Sequence, residues 1–174
     1  MKKIGLFYWP KGGNVESCAR RVYDQFGGAQ IEMFSLDEIP EADIEKYDLF
    51  IVGGSTAGAD VWEKAHGRNL WFEFFSKIEK ADLKDKPVAI FGLGDQVLYP
   101  DHFVDGMKHI RDEFAIAGAR LIGRWPVEGY DFTGSDSVEE GMFLGLALDE
   151  DRQPGLTDER ISRWVKQLSE EAGL

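Results

Sequence analysis

Cysteine is almost absent from this sequence. Its 174 residues hold one, Cys18, which excludes an internal disulfide and a thiolate metal cluster. That cysteine falls on the apolar face of the first expected helix, where a thiol acts as a small core residue. Histidine is nearly as scarce, and His66, His102 and His109 have no metal-ligand spacing. No apolar run approaches the roughly 20 residues of a membrane span. Met1-Lys2-Lys3 carries the charge of a secretion signal, but the apolar run behind it stops at Pro10 with no cleavage pattern. These absences predict a reducing setting, most simply the cytoplasm. Ser17 and Ser55 have no evident base partner, so no nucleophilic triad is suggested. Positive charge is short as well: 20 basic residues stand against 32 acidic ones, a net charge of −12. Such a surface repels nucleic acid and anionic membranes and steers the protein toward a basic partner. Simple solubility is an equally good reason for it. Linkers, repeats and low-complexity tracts are missing, which predicts one domain over residues 1–174 with a full core.

What is present begins with an apolar run at residues 4–9, the length of one buried strand. Pro10-Lys11-Gly12-Gly13-Asn14 breaks it as a tight loop. Val15, Cys18, Ala19, Val22 and Phe26 then fall on one face of a helix, with Asn14 as its expected N-cap. A strand, a glycine loop and a helix start in this order form a cradle for an anion, because free N–H groups and the positive dipole end point into the loop. An ordinary strand-to-helix connection with no ligand has equal weight on this stretch alone. The glycine spacing fits neither a Walker loop nor a dinucleotide fingerprint.

Further strands are expected at residues 30–34, 47–52, 86–91 and 120–125. Helices are expected at 69–80, from Phe103 to Ala117 with Asp101 as N-cap, and at about 158–172. Strands alternating with helices at this spacing predict a parallel sheet covered on both faces. Residues 127–141 break the alternation as a polar, turn-rich excursion that leaves the sheet edge and returns. The first, third and fourth strands each end in glycines. Three such loops converge beyond the carboxyl edge of an open parallel sheet, where ligands bind. One would hold an anion and two would flank a flat ring, on which Tyr99 could stack.

KKIGLFY at residues 2–8, FGLGDQVLYPDHF at 91–103, EGYDF at 128–132 and GLALDEDRQPGLTDERISRWVKQL at 145–168 resemble the long-chain flavodoxins. The likeness covers nearly the whole chain. It implies a three-layer flavodoxin-like fold: a five-stranded parallel sheet, helices on both faces, and a fifth strand split by the excursion. It also implies a low-potential one-electron carrier that holds FMN noncovalently and has no catalytic residue. Its partners would be basic redox proteins such as a flavodoxin reductase or an iron–sulfur enzyme, met transiently by a monomer.

Carried over position by position, the cofactor-binding residues are Lys11, Gly12, Gly13 and Asn14 at the phosphate, and Thr56, Ala57 and Gly58 in the first ring loop. Gly92, Leu93, Gly94 and Asp95 form the second ring loop, with Tyr99 stacking on the outer ring face. Asp95 reads either as a group near the flavin edge or as a turn residue. The acids at 149–151 read either as neighbours of the flavin or as a solvated turn. Two loops depart from the family pattern. Ala57 stands where many relatives have a tryptophan, a longer loop follows at 58–69, and Trp62 is a candidate substitute ring. In the phosphate loop Pro10, Gly12 and Val15 replace three hydroxyl residues. A hydrogen bond to a charged group contributes about 1.5–3 kcal/mol, so their loss weakens phosphate binding unless Lys11 faces the dianion and offsets it. These departures leave open a binding protein on the same scaffold that has lost FMN or takes a different ligand; a third function, an FMN-dependent reductase acting on its own substrate, lacks an identifiable acid or base.

Overall fold

The computed structural model describes residues 1–27, 30–39, 44–55 and 70–174. Thr56, Ala57, Gly58, Trp62, His66 and the expected longer loop at 58–69 lie outside the described residues.

Ile4-Gly5-Leu6-Phe7-Tyr8 has no polar alternation, and β1 (Ile4–Tyr8) is buried at every position, as a central parallel strand must be. It pairs in parallel with β2 (Ile31–Ser35) on one side and β3 (Leu49–Ser55) on the other. β3 pairs in turn with β4 (Pro87–Leu93). Two short strands share the far side of β4. β5 (Arg120–Ile122) takes its first half, from Pro87↔Arg120 to Ala89↔Ile122, and β9 (Leu146–Leu148) takes its end, from Phe91↔Leu146 to Leu93↔Leu148. The sheet order is therefore β2-β1-β3-β4 followed by a split fifth position, all parallel.

Adjacent residues of a strand point to opposite faces, and β4 shows which helices lie on each. Phe91 meets Trp164 of α4 (Thr157–Ala172) edge-on at 6.3 Å. An added Cβ on Gly92 would lie 2.7 Å from Met107 of α3 (Gly106–Ile116). α1 (Asn14–Gln25) packs beside α4, and α2 (Leu70–Lys80) beside α3, so each face carries two helices. On the α2/α3 face Phe7, Phe50, Phe74 and Phe114 form a connected ring cluster with centroids 5.3–6.2 Å apart. None of the described helices is long and apolar enough to cross a membrane.

Several boundaries differ from expectation, each for a physical reason. The stretch 120–125 is not one strand. Gly123 ends it with a φ of +73°, and an added Cβ there would lie 2.8 Å from Trp164 Nε1, whose N–H donates to the Gly123 carbonyl at 2.7 Å. Trp125 instead opens a small antiparallel sheet of β6 (Trp125–Pro126), β7 (Val138–Glu139) and β8 (Met142–Phe143). The chain returns at Gly145, where any side chain would meet the Ile90 carbonyl.

The second and third glycine runs begin inside strands rather than after them. Gly53 and Gly54 lie inside β3, and Gly92 inside β4. A Cβ on Gly53 would stand 2.0 Å from the Phe91 ring, so that glycine makes room for a core aromatic. Asp101 is not the cap of α3. Its carboxylate accepts from the Thr133 hydroxyl, residues 99–105 form turns, and the helix starts only at Gly106. Asn14 is not the cap of α1 either: the extended Gly13 takes that place and Asn14 begins the helix.

Candidate cofactor site

The carboxyl ends of β1, β3, β4 and β9 open onto one edge of the sheet, beside a cavity of about 250 Å3. Pro10, Asn14 and Val15 of the first loop line one wall, with Ser55 at the end of β3. Leu93, Gly94, Asp95 and Tyr99 form another, and Glu150 and Asp151 a third. Of the residues expected to bind a cofactor, the described cavity gathers Asn14, Leu93, Gly94, Asp95 and Tyr99. Gly92 lies beneath it, facing Met107 and paired with Gly54 and Ala147. Lys11, Gly12 and Gly13 do not line it.

The stretch after β4 is braced by charge and hydrogen bonds. Asp95 Oδ1 accepts from the Val97 and Leu98 backbone N–H groups at 2.9 Å each and from Arg152 Nε at 3.0 Å, while Oδ2 accepts from Arg152 Nη2 at 3.1 Å. The guanidinium first, then the two backbone donors, hold its carboxyl down at about 2 against the pull of burial. Asp95 is thus a turn residue by its side chain and part of the cavity wall by position.

Fully buried Asp149 completes the brace. Its Oδ2 accepts from Gln96 N at 3.0 Å and Gln96 Nε2 at 2.9 Å, and its Oδ1 from the N–H groups of Asp151 at 3.1 Å and Arg152 at 2.9 Å. Gln96 passes the connection on by accepting from the Asp131 N–H, and Gly94 N–H donates to the Leu148 carbonyl at 3.0 Å. Sequence reasoning missed Gln96 and Arg152 as members of the site. Both lie inside the stretches that carried the family likeness, which was the available signal. Glu150, whose side chain is 11% exposed, is held by Arg21 at 3.3 Å and by the Thr157 hydroxyl.

On this brace stand three exposed apolar side chains, Val97 at 60%, Leu98 at 66% and Tyr99 at 52%. Tyr99 reaches the cavity and keeps half its ring in the open, which is the disposition of a stacking surface.

The first loop is arranged differently. Gly12 turns the chain at a φ of +77° and donates its N–H to Glu16 Oε2 at 2.6 Å. That bond first, then one from the Tyr8 hydroxyl, holds the Glu16 carboxyl below the usual range. Lys11 is turned away from the cavity, with its Nζ 3.0 Å from Asp37 Oδ2 and 2.7 Å from Glu38 Oε1. Those two carboxylates, Glu38 first, raise its ammonium above its ordinary value. Ser17 N–H closes the first turn of α1 on the Gly13 carbonyl at 3.1 Å, and the N–H groups ahead of it have no acceptor within the helix. An anion at the Asn14–Val15 wall would meet these donors. Cys18 beneath has its thiol pushed up to about 12 by burial and serves the core. Among the described residues no group of three or more His, Cys, Asp or Glu is placed to hold a metal.

The class defined by these features is an open parallel α/β protein with a crevice at the carboxyl edge of its sheet, where such folds bind ligands. The family model for flavodoxin matches residues 6–164. The chain is 40% identical to a flavodoxin of Haemophilus influenzae over 172 residues, 98% of this chain and 96% of that one. It is 38% identical to a flavodoxin of a Nostoc species over 173 residues, 99% of each chain. Among solved structures it resembles that of Fusobacterium nucleatum flavodoxin bound to flavin mononucleotide, with a TM-score of 0.85 and 26% identity over 98% of this chain and 99% of the other. The chain belongs to the flavodoxin family, and is an electron-transfer flavoprotein serving redox partners rather than an enzyme.

Proposed function

We propose that the cavity holds FMN, with the ring against Tyr99 and the 92–95 backbone and the phosphate at the first loop, and that the protein carries single electrons between redox proteins at low potential. The observation that carries this reading is the half-exposed Tyr99 on a stretch already fixed by Asp95, Gln96, Asp149 and Arg152. The bound flavin supplies the redox chemistry, and the protein positions it and sets its electrostatic surroundings. Gly94 lets the backbone approach the ring. The first-turn N–H groups at Asn14 and Val15, with Gly12, Gly13 and Lys11 beside them, receive the phosphate. Thr56, Ala57 and Gly58 are proposed for the inner ring face. Glu150 and Asp151 in the cavity wall disfavour an added negative charge on the ring, which lowers the potential of the couple that creates it.

The net charge of −12 favours a monomer that docks transiently, as one cytoplasmic domain over residues 1–174, on basic surfaces such as those of a flavodoxin reductase or an iron–sulfur enzyme. Electron transfer to such a partner slows as salt rises, because steering between exposed charges is screened within about 10 Å at 0.1 M. A rate indifferent to ionic strength would contradict that docking mode. The direct test of the cofactor is the visible spectrum of the purified protein with the mass of any released ligand. Flavin bands and the mass of FMN are expected. A colourless protein that leaves the fluorescence of added FMN unquenched would instead support a scaffold that has lost its flavin.

A further inference from the structure

Lys11 is the lysine of the first loop, at which the phosphate is proposed to sit, and it is occupied elsewhere. Its partners are not chance surface charges. Asp37 and Glu38 stand on the turn that follows β2, and that turn is tied to the end of β1. Leu36 N–H donates to the Tyr8 carbonyl at 3.1 Å, and Glu38 N–H to the Ser35 carbonyl at 2.9 Å. Buried Ser35 places its hydroxyl 2.5 Å from Asp37 Oδ1 and 3.1 Å from Glu38 Oε2. Both carboxylates therefore stand beside the first loop, sharing the one hydroxyl proton of Ser35 and the ammonium of Lys11.

Lys11 follows Pro10, which lines the cavity, and its side chain is 36% exposed on a flexible four-carbon stem. Rotation about that stem lets the ammonium choose between two anions, the pair on the turn and a phosphate at the helix start. Pro10 has no N–H to offer, and Gly12 already donates to Glu16, so the ammonium matters more here than in a hydroxyl-rich loop. Neither Asp37 nor Glu38 lines the cavity.

We propose that Asp37 and Glu38 hold Lys11 back from the cofactor phosphate, so that two carboxylates outside the cavity set how strongly the protein prefers phosphorylated flavin. They are positioning residues acting through Lys11, and the inference rests on the FMN reading above. The linkage is reciprocal: whatever loosens Lys11 from the pair strengthens phosphate binding, and bound phosphate loosens the pair.

The experiment is a mutant cycle on the apoprotein, read by fluorescence titration with FMN and with riboflavin, which lacks the phosphate. The four proteins are wild type, Lys11→Ala, the double variant Asp37→Asn with Glu38→Gln, and the triple variant. Exposed ion pairs of this kind predict that the double variant binds FMN about three- to tenfold more tightly than wild type, with riboflavin affinity unchanged. The gain disappears in the triple variant. An unchanged FMN affinity in the double variant overturns the proposal. So does an equal gain without Lys11, which would reflect only the removal of negative charge. Should none of the four bind FMN, the cofactor reading itself fails. Inorganic phosphate, followed through the backbone amide signals of Gly12 and Gly13, then tests the lysine competition alone: tighter phosphate binding by the double variant that needs Lys11 supports it, and any other pattern overturns it.

Discussion

The two loops proposed to hold the cofactor are built on opposite plans. After β4, the stretch 93–99 is fixed by groups behind it: Asp149 is fully buried, accepts four N–H bonds, and through Gln96 joins three segments of chain. After β1, the stretch 9–15 is surrounded by its own acids. Glu16 takes the Gly12 N–H, and Asp37 and Glu38 take Lys11, at exposed or half-exposed positions. A buried carboxylate with every lone pair used makes a rigid wall, because any displacement leaves buried donors unpaired. Exposed ion pairs exchange partners at little cost. The ring wall is thus ready before a ligand arrives, while the phosphate loop must trade internal partners for the phosphate.

The comparison is most easily broken at Asp149. Asp149→Ala leaves four donors without their acceptor, and a loss of about 3 kcal/mol of stability is expected from urea unfolding of the apoprotein. A variant within 1 kcal/mol of wild type would mean that the brace is not what fixes the wall. Next in size is Tyr99→Ala, which should weaken FMN binding by about 1–3 kcal/mol through lost stacking and burial. Because Tyr99 is half exposed without ligand, the unfolding midpoint of the apoprotein should barely move. Equal FMN affinity in the variant would place Tyr99 outside the ring contact.

The smallest effect expected is at Arg152. In the folded protein the Asp95 carboxyl titrates at about 2, below its ordinary 3.8. The stabilisation this represents is therefore complete above about pH 4 and is lost as pH falls through about 2. Arg152→Met removes the first cause of the depression and leaves the Val97 and Leu98 donors. The titration of the Asp95 side-chain carbon signal should move up toward the usual carboxylate range without reaching it. An unmoved titration would assign the depression to the backbone donors alone.

Much of this architecture was legible in the sequence. The apolar runs became β1, β3 and β4, because burial on both faces leaves an unmistakable absence of polar alternation, whereas the split of the fifth strand followed from the family likeness. Glycines were less legible. Gly53 and Gly92 read as loop residues, yet each makes room for a neighbour, Phe91 and Met107, that sequence does not place beside it. Capping was ambiguous for a related reason: Asn14 and Asp101 have capping side chains, but an extended Gly13 stands at the N-cap of α1 and Asp105 at that of α3, while the Asp101 carboxylate takes the Thr133 hydroxyl.

The cavity lining at Asn14, Leu93, Gly94, Asp95 and Tyr99 followed from the family likeness. The brace did not, because Gln96 and Asp149 are 53 residues apart and no motif pairs them. The direction of Lys11 was equally hidden. It depends on a turn more than 20 residues away whose approach is fixed by pairing between β1 and β2.

The difference between the two loops can be measured by amide hydrogen exchange on the apoprotein and on the protein saturated with FMN. Gln96, Val97 and Leu98, bonded to Asp149 and Asp95, should be protected to nearly the same degree in both states. Gly13, Asn14 and Val15 should gain protection only with FMN. Protection of 96–98 that appears only on binding, or first-loop amides that FMN leaves unchanged, would contradict a prebuilt ring wall beside a phosphate loop that exchanges its partners.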